Sequence, residues 1–307
     1  MDRQHRGECH GGNGDPVISQ LKEKKICPPS NYVARSFYVG LVLLLACNIV
    51  LADPESDRRA FVAYFQARFP DVPLHEYVNG AYAFDAGARE QWLAIEEFPP
   101  YEYAIDEGKE LFNKTFPNGN SYGSCFSDGG IGVRQNFPYF DTASGQVVTL
   151  ELAINQCREK NGEAPLPYLK GEMISISAYM AYTSRGRKIN ILIPNDPRAL
   201  AAYEEGKQFF YTRRGQLNFS CYHCHMEYAT KQLRAQTLSP ALGQASHFPV
   251  YRSQWEAMGS LHRRYIDCNE QTRSKPLTQQ GREYRNLEYF HTYMSNGLEI
   301  NGPGSRR

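Results

Sequence analysis

The residues with the clearest chemistry are Cys221, Cys224 and His225, which stand in the run Cys221-Tyr222-His223-Cys224-His225. C-x-x-C-H is the attachment spacing of a c-type haem. Two thiols three positions apart can each add to one vinyl group, and the next imidazole then lies under the iron. The plain structural alternative is a buried cysteine pair beside a surface histidine. His223, inside the run, is expected to be a solvated filler.

An iron with His225 below it needs a ligand above it, and the sequence offers Met258, Met294, His247, His262 and Cys268. Met226 is excluded because it adjoins the proximal ligand. Methionine is the ordinary choice for an electron-transfer cytochrome, since a neutral thioether raises the potential. Cys268 has a different setting, with His262, Arg263 and Arg264 before it and Arg273 after it. On a continuous helix Arg264 and Cys268 share one face at i, i+4. A guanidinium there would hold a dianion beside the sulfur; the alternative for such basic residues is a solvated surface.

The elements that must position these residues show an internal repeat. Asp106-Glu107-Gly108-Lys109-Glu110-Leu111-Phe112 matches Glu204-Glu205-Gly206-Lys207-Gln208-Phe209-Phe210, and self-similarity of this kind takes precedence in a fold assignment. Cys125 lies 17 residues beyond Gly108, and Cys224 lies 18 beyond Gly206. The first copy reads Tyr122-Gly123-Ser124-Cys125-Phe126 there, so it keeps one thiol and has no imidazole. Such a site cannot hold a haem in the c-type manner.

Each copy has a further cysteine downstream, Cys157 in the first and Cys268 in the second. Leu150, Ala153, Ile154 and Cys157 follow the i, i+3, i+4, i+7 spacing of one apolar helix face over residues 149–159, which turns Cys157 inward. The simplest account joins Cys125 to Cys157 where a haem would have been, contributing on the order of 3 to 4 kcal/mol through loop closure. Two buried free thiols are the alternative.

Length and composition set the frame. At 307 residues the chain can hold two domains, and a formal net charge of +1 gives no global field for nucleic acid or an anionic membrane. Residues 37–45 carry no charge but are too short to span a bilayer. With Val50-Leu51-Ala52 before Asp53-Pro54 they read as a secretory signal, the mature protein beginning near Asp53. Leu44-Leu45-Ala46-Cys47 is a lipoprotein-type alternative, and Val33 an alternative start. Export places thioether and disulfide chemistry in the periplasm. It also removes Cys9, Cys27 and Cys47 with the leader.

The expected organisation is a leader over 1–52, a haem-less domain over 53–168, a haem-binding domain over 169–297 and a tail over 298–307. Pro165, Pro167 and Gly171 mark the linker between domains. Helices are expected over 58–68, over 173–182, from Asp196-Pro197 onward, and through Leu287, Phe290 and Met294. Trp92, Phe98, Tyr101 and Tyr103 are expected in the core. Residues 233–249 read as a loop around the haem edge.

The chain resembles the SoxA subunits of the SoxAX cytochromes of bacterial thiosulfate oxidation. The resemblance rests on Glu107-Gly108-Lys109, Cys125-Phe126, residues 129–133, Thr149-Leu150-Glu151, Cys157-Arg158, residues 221–225 and Arg263 to Asn269. It covers residues from about 100 to 297, and the cysteine-asparagine pair with its upstream arginines is its most specific part. It implies a mainly α fold of two tandem cytochrome c-like domains. The implied activity is that of an L-cysteine S-thiosulfotransferase, the oxidative coupling of thiosulfate to a cysteine of the carrier protein SoxYZ. By the same likeness Cys221 and Cys224 anchor one haem c and His225 is its proximal ligand. Cys268 is then both distal ligand and catalytic sulfur, able to carry an extra sulfur, and Arg264 receives the anion. A SoxX-like haem subunit is the implied partner in a heterodimer. Members with two haems in this subunit carry C-x-x-C-H in the first domain; this chain departs there and resembles the single-haem branch. The competing function is a plain periplasmic electron carrier with histidine and methionine ligands.

Overall fold

Gly108 and Gly206, matched in the sequence repeat, are each the point where two helices touch backbone to backbone. A Cβ on Gly108 would lie 1.9 Å from the Ser175 carbonyl oxygen, and one on Gly206 would lie 2.0 Å from that of Asn286. Only a residue without a side chain permits such an approach. The structure, a computed structural model, describes residues 53–307. The leader expected over 1–52, with its three cysteines, lies outside the described residues.

Eight α-helices are present among the described residues: α1 Pro54–Arg68, α2 Ala86–Glu96, α3 Glu102–Asn113, α4 Leu150–Lys160, α5 Glu172–Tyr182, α6 Pro197–Tyr211, α7 Leu261–Gln271 and α8 Arg282–Tyr293. Their starts follow from local chemistry. The side chains of Asp53, Asp85, Thr149, Asp196 and Ser260 each accept a first-turn backbone N–H, and proline follows Asp53 and Asp196 at the first helical position.

The two halves repeat the same design. In the first, α3 crosses α5 through Gly108; in the second, α6 crosses α8 through Gly206. A hairpin of β1 Tyr139–Asp141 and β2 Gln146–Val148 leads into α4, and a hairpin of β5 Val250–Arg252 and β6 Ala257–Gly259 leads into α7. Cys157 is the eighth residue of α4 and Cys268 the eighth of α7. Cys125 and Cys157 form a disulfide with Cα atoms 5.8 Å apart, closing a 32-residue separation. By the chain-entropy relation that closure contributes about 4 kcal/mol.

Packing moves several expected boundaries. Met173, Ile174, Ile176 and Met180 of α5 lie in the first core with Phe112, Ile154 and Cys157, so the halves divide after α5 and not at 168/169. The Pro165–Pro167 loop turns the chain back within a half, because the repeat needs its closing helix against its opening one. Phe61 and Phe65 of α1, with Tyr77, lie in the second core beside Tyr203, Phe210 and Phe290. The N-terminal segment therefore belongs to the haem-motif half, and Arg68 caps it by donating to the Met226 and Glu227 carbonyls at 2.7 Å.

The expected tail is also structure. Strand β7, Gly304–Arg306, is buried and pairs in parallel with β5, Arg306 opposite Arg252. Arg306 lies over the rings of Tyr82 and Trp92. Of the four aromatic residues expected in the core, Tyr101 is buried, but Phe98 is 87% and Tyr103 85% exposed. They occupy the turn before α3 and its outward face, where local aromatic content does not reveal burial. No helix among the described residues is long and apolar enough to cross a membrane.

Candidate functional site

The C-x-x-C-H run begins on the turn after Ser220 and winds into a π-helical turn over His223–Glu227. His225 is positioned from outside that turn. Its Nδ1 lies 2.8 Å from the Ser239 carbonyl oxygen, and the Gln244 side-chain amide approaches the same nitrogen at 2.8 Å. A carbonyl can only accept, so Nδ1 carries the proton and Nε2 keeps its lone pair; Gln244 Nε2, itself a donor, then gives its hydrogen bond to the Ser239 hydroxyl at 2.6 Å and not to that nitrogen. Burial, opposed by the hydrogen bond with Ser239 and helped by the Arg264 charge, lowers its pKa to about 4 and holds the ring neutral. An oriented neutral imidazole of this kind is what an axial ligand requires.

His223 departs from its expected role. It is buried, with its Nδ1 accepting from the Ser220 N–H at 3.1 Å and lying 2.7 Å from the Ser220 hydroxyl. The side chain caps the turn that presents the motif, because the tight winding folds it back over residue 220.

Cys221, Cys224 and Cys268 are free thiols. Burial pushes the Cys221 thiol up to about 12, with Arg214 opposing and the Cys268 and Cys224 sulfurs adding to the rise. Burial also raises Cys224, with Cys268 reinforcing and Arg264 opposing. The charges of Arg264 and Cys268 on α7 are thus felt at the motif. Arg264 and Cys268 lie one turn apart on α7, as the sequence spacing requires, and the buried Nη1 of Arg264 has no hydrogen-bond partner.

The other ligands proposed from sequence have the following surroundings. Met258 packs against the core of the first half. His262 is buried with its Nδ1 accepting the Gln280 N–H at 3.1 Å and its Nε2 3.2 Å from Glu288, which lies 3.9 Å from Arg134 across the halves. His247 stacks on Phe248 at 5.0 Å between ring centroids. Met294 lies in the second core at the end of α8. Arg273 sits beyond α7, its N–H bonded to the Glu270 carbonyl.

A c-type haem fits this donor set. Two unpaired thiols stand at thioether spacing, an imidazole has its far nitrogen already oriented, and a third sulfur comes from the facing helix. When bound, the haem supplies a one-electron acceptor.

Sequence reading missed three contributors. Tyr265 of α7, which feels both Cys221 and Cys268, lies 3.0 Å by its hydroxyl from His291 Nδ1, and His291 Nε2 is 3.1 Å from the Ala241 carbonyl. Burial keeps His291 neutral with a pKa of about 4. Ala241 in turn donates its N–H to the His225 carbonyl at 2.8 Å, which ties the two sides of the site together. Ser239 belongs to an insert, and a length difference reveals it: Pro138 follows Cys125 by 13 residues, whereas Pro249 follows Cys224 by 25. The extra residues form a two-stranded hairpin of β3 Gln232–Leu233 and β4 Gln236–Thr237, where a plain loop was expected. Arg252 of β5, against Gln236 of that hairpin, is the third.

Comparison with known proteins agrees with the repeat. Residues 107–189 match the family model "SoxA/TsdA, cytochrome c domain". That match lies on the half without the C-x-x-C-H run and ends beyond α5. The L-cysteine S-thiosulfotransferase subunit SoxA of Allochromatium vinosum is 55% identical over 260 residues, 84% of this chain and 92% of its own. The subunit of the same name from Chlorobaculum tepidum is 50% identical over 284 residues, covering 90% and 99%. Among solved structures, SoxXA from P. pantotrophus matches with a TM-score of 0.65 at 29% identity, covering 74% of this chain and 86% of that one. The chain belongs to the SoxA family of cytochrome c-type L-cysteine S-thiosulfotransferase subunits.

Proposed function

We propose that this protein couples thiosulfate oxidatively to a cysteine of a SoxYZ-type carrier, with Cys268 as the reacting sulfur and Arg264 as a holder of the anion. The observation that carries this reading is a free thiol whose charge is felt at a haem-attachment motif, one helical turn from a guanidinium whose buried N–H is left unsatisfied. An ordinary electron carrier has no use for either.

Joining the two sulfurs, carrier–SH + S2O3²⁻ → carrier–S–S–SO3⁻ + H⁺ + 2e⁻, forms one S–S bond and releases two electrons and one proton. Cys268 offers a covalent intermediate stage, a sulfur nucleophile that holds one partner while the other arrives. Cys221, Cys224 and His225 would hold the single haem c, which would supply an acceptor for one electron. The second needs another centre, which a SoxX-like cytochrome subunit in a heterodimer provides. Attachment of haem by thioethers together with the Cys125–Cys157 disulfide favours the periplasm.

Electron counting tests the reading. The purified heterodimer, supplied with thiosulfate, carrier and ferricyanide, should reduce two equivalents of ferricyanide per S-thiosulfonated carrier found by intact mass. Carrier converted instead to the persulfide, carrier–S–SH, with one sulfite released and no electrons given up, would assign the chain to simple group transfer.

A further inference from the structure

The haem-less half is an internal reference for the haem half, because hairpin and helix match position for position. At the third residue of the first strand the reference carries Asp141, whose carboxylate closes its own turn by accepting from Ala143 and Ser144 N–H at 3.1 Å. At the same place the haem half carries Arg252. The fourth helix residue changes from Ala153 to Arg264, and Cys157, held in the disulfide, becomes the free Cys268. The substitutions that distinguish the halves therefore include two guanidiniums and one thiol.

Arg252 is poorly paired for so buried a charge. It is 8% exposed, and its Nε has no partner. Its Nη2 donates to Gln236 Oε1 at 3.3 Å, and the guanidinium lies 5.4 Å from the Trp255 ring centroid. Trp255 carries Arg263 on its ring at 4.4 Å and donates its Nε1–H to Asp267 at 2.5 Å, which fixes the strand against the turn of α7 that bears Cys268. Among the described residues no carboxylate lies within ion-pair distance of Arg252. Desolvation, reinforced by the Arg264 charge and opposed by the Cys268 sulfur, lowers its pKa to about 10. Two like charges near one sulfur, Arg252 buried and Arg264 half-buried, are unfavourable alone and become favourable when a dianion lies between them.

We propose that Arg252 is a second guanidinium of the anion subsite at Cys268, held by Gln236 of the inserted hairpin, and that the subsite selects tetrahedral sulfonate-type dianions. The inference rests on the reading that Cys268 couples thiosulfate. The insert then has two tasks, since Ser239 orients His225 on one side and Gln236 orients Arg252 on the other. Arg252 touches the anion; Gln236 is a positioning residue.

The test uses the haem-loaded heterodimer, with sulfate as an unreactive probe whose affinity is read both by calorimetry and as competitive inhibition. Arg252→Met, which preserves the apolar stem, should raise the thiosulfate KM and weaken sulfate binding by about tenfold or more, the loss of a charge-assisted hydrogen bond. Haem content and Soret position should stay unchanged, and Arg252→Lys should recover part of the loss. Gln236→Ala should raise KM by about threefold at constant kcat. A folded, fully loaded Arg252→Met protein with KM and sulfate affinity within twofold of the parent overturns the proposal, as does a parent that binds no sulfate. If Arg252→Met fails to load haem, a loaded Gln236→Ala protein with KM and sulfate affinity within twofold of the parent overturns the proposal instead. Sulfate calorimetry needs no turnover, so failure of the Cys268 chemistry and failure of the anion subsite give separate results.

Discussion

Cys268→Ala should lower thiosulfate coupling by roughly 10³-fold or more, the scale expected when a covalent nucleophile is deleted, while Cys221, Cys224 and His225 retain the haem. The internal repeat supplies the reason. In the first half the equivalent cysteine sits within bonding distance of Cys125 and is consumed in a disulfide. In the second half the partner position is Cys224, and its thiol is required by the haem, so Cys268 stays free for chemistry. The check is carrier coupling followed by intact mass, beside the haem content of the same preparation. Coupling at the parent rate in a fully loaded variant would remove Cys268 from the reaction.

Gly206→Ala should cost at least about 3 kcal/mol and with it much of the haem loading. The added methyl would meet Asn286 backbone at 2.0 and 2.6 Å and Phe290 Cβ at 2.9 Å. Carbonyl groups inside a helix cannot yield as a flexible side chain does, so α6 and α8 must separate, and overpacking of that kind lies at the costly end of its range. For about 250 residues this corresponds to a fall of roughly 6–12 °C in Tm. Gly108→Ala should behave alike in the first half, where the Ser175 carbonyl is at 1.9 Å. Gly87→Ala is the control: its Cβ would meet only Asp85 at 3.8 Å, in a helix first turn where alanine is the better residue. Thermal unfolding that leaves Gly206→Ala level with Gly87→Ala would show that the crossing is looser than its distances imply.

Much of the site was legible because it is encoded locally. The C-x-x-C-H run, the helical spacing that turns Cys157 inward and aligns Arg264 with Cys268, and the Asp196-Pro197 start all depend on residues within a few positions of one another. The repeat placed Gly108 and Gly206 in register before their role as contact points was visible. What escaped was set by distant packing. Nothing near Phe61 says that α1 lies on the second core, and nothing near Gly304 says that the last residues form a strand beside Arg252. Phe98 and Tyr103 are exposed although their composition reads as core, since burial depends on what the rest of the chain brings to cover them. Arg252 lay just beyond the loop read over 233–249, in residues to which no element was assigned. The extra length between Cys224 and Pro249 was a usable signal for the insert, but its two tasks, at His225 and at Arg252, required coordinates.

Electron paramagnetic resonance of the oxidised holoprotein, recorded beside Cys268→Ala, tests most directly whether the sulfur of residue 268 faces the iron opposite His225. The expected result is a low-spin thiolate-type signal that disappears in the variant. A spectrum that Cys268→Ala leaves unchanged, accompanied by the thioether-to-iron charge-transfer band of methionine ligation, would contradict it.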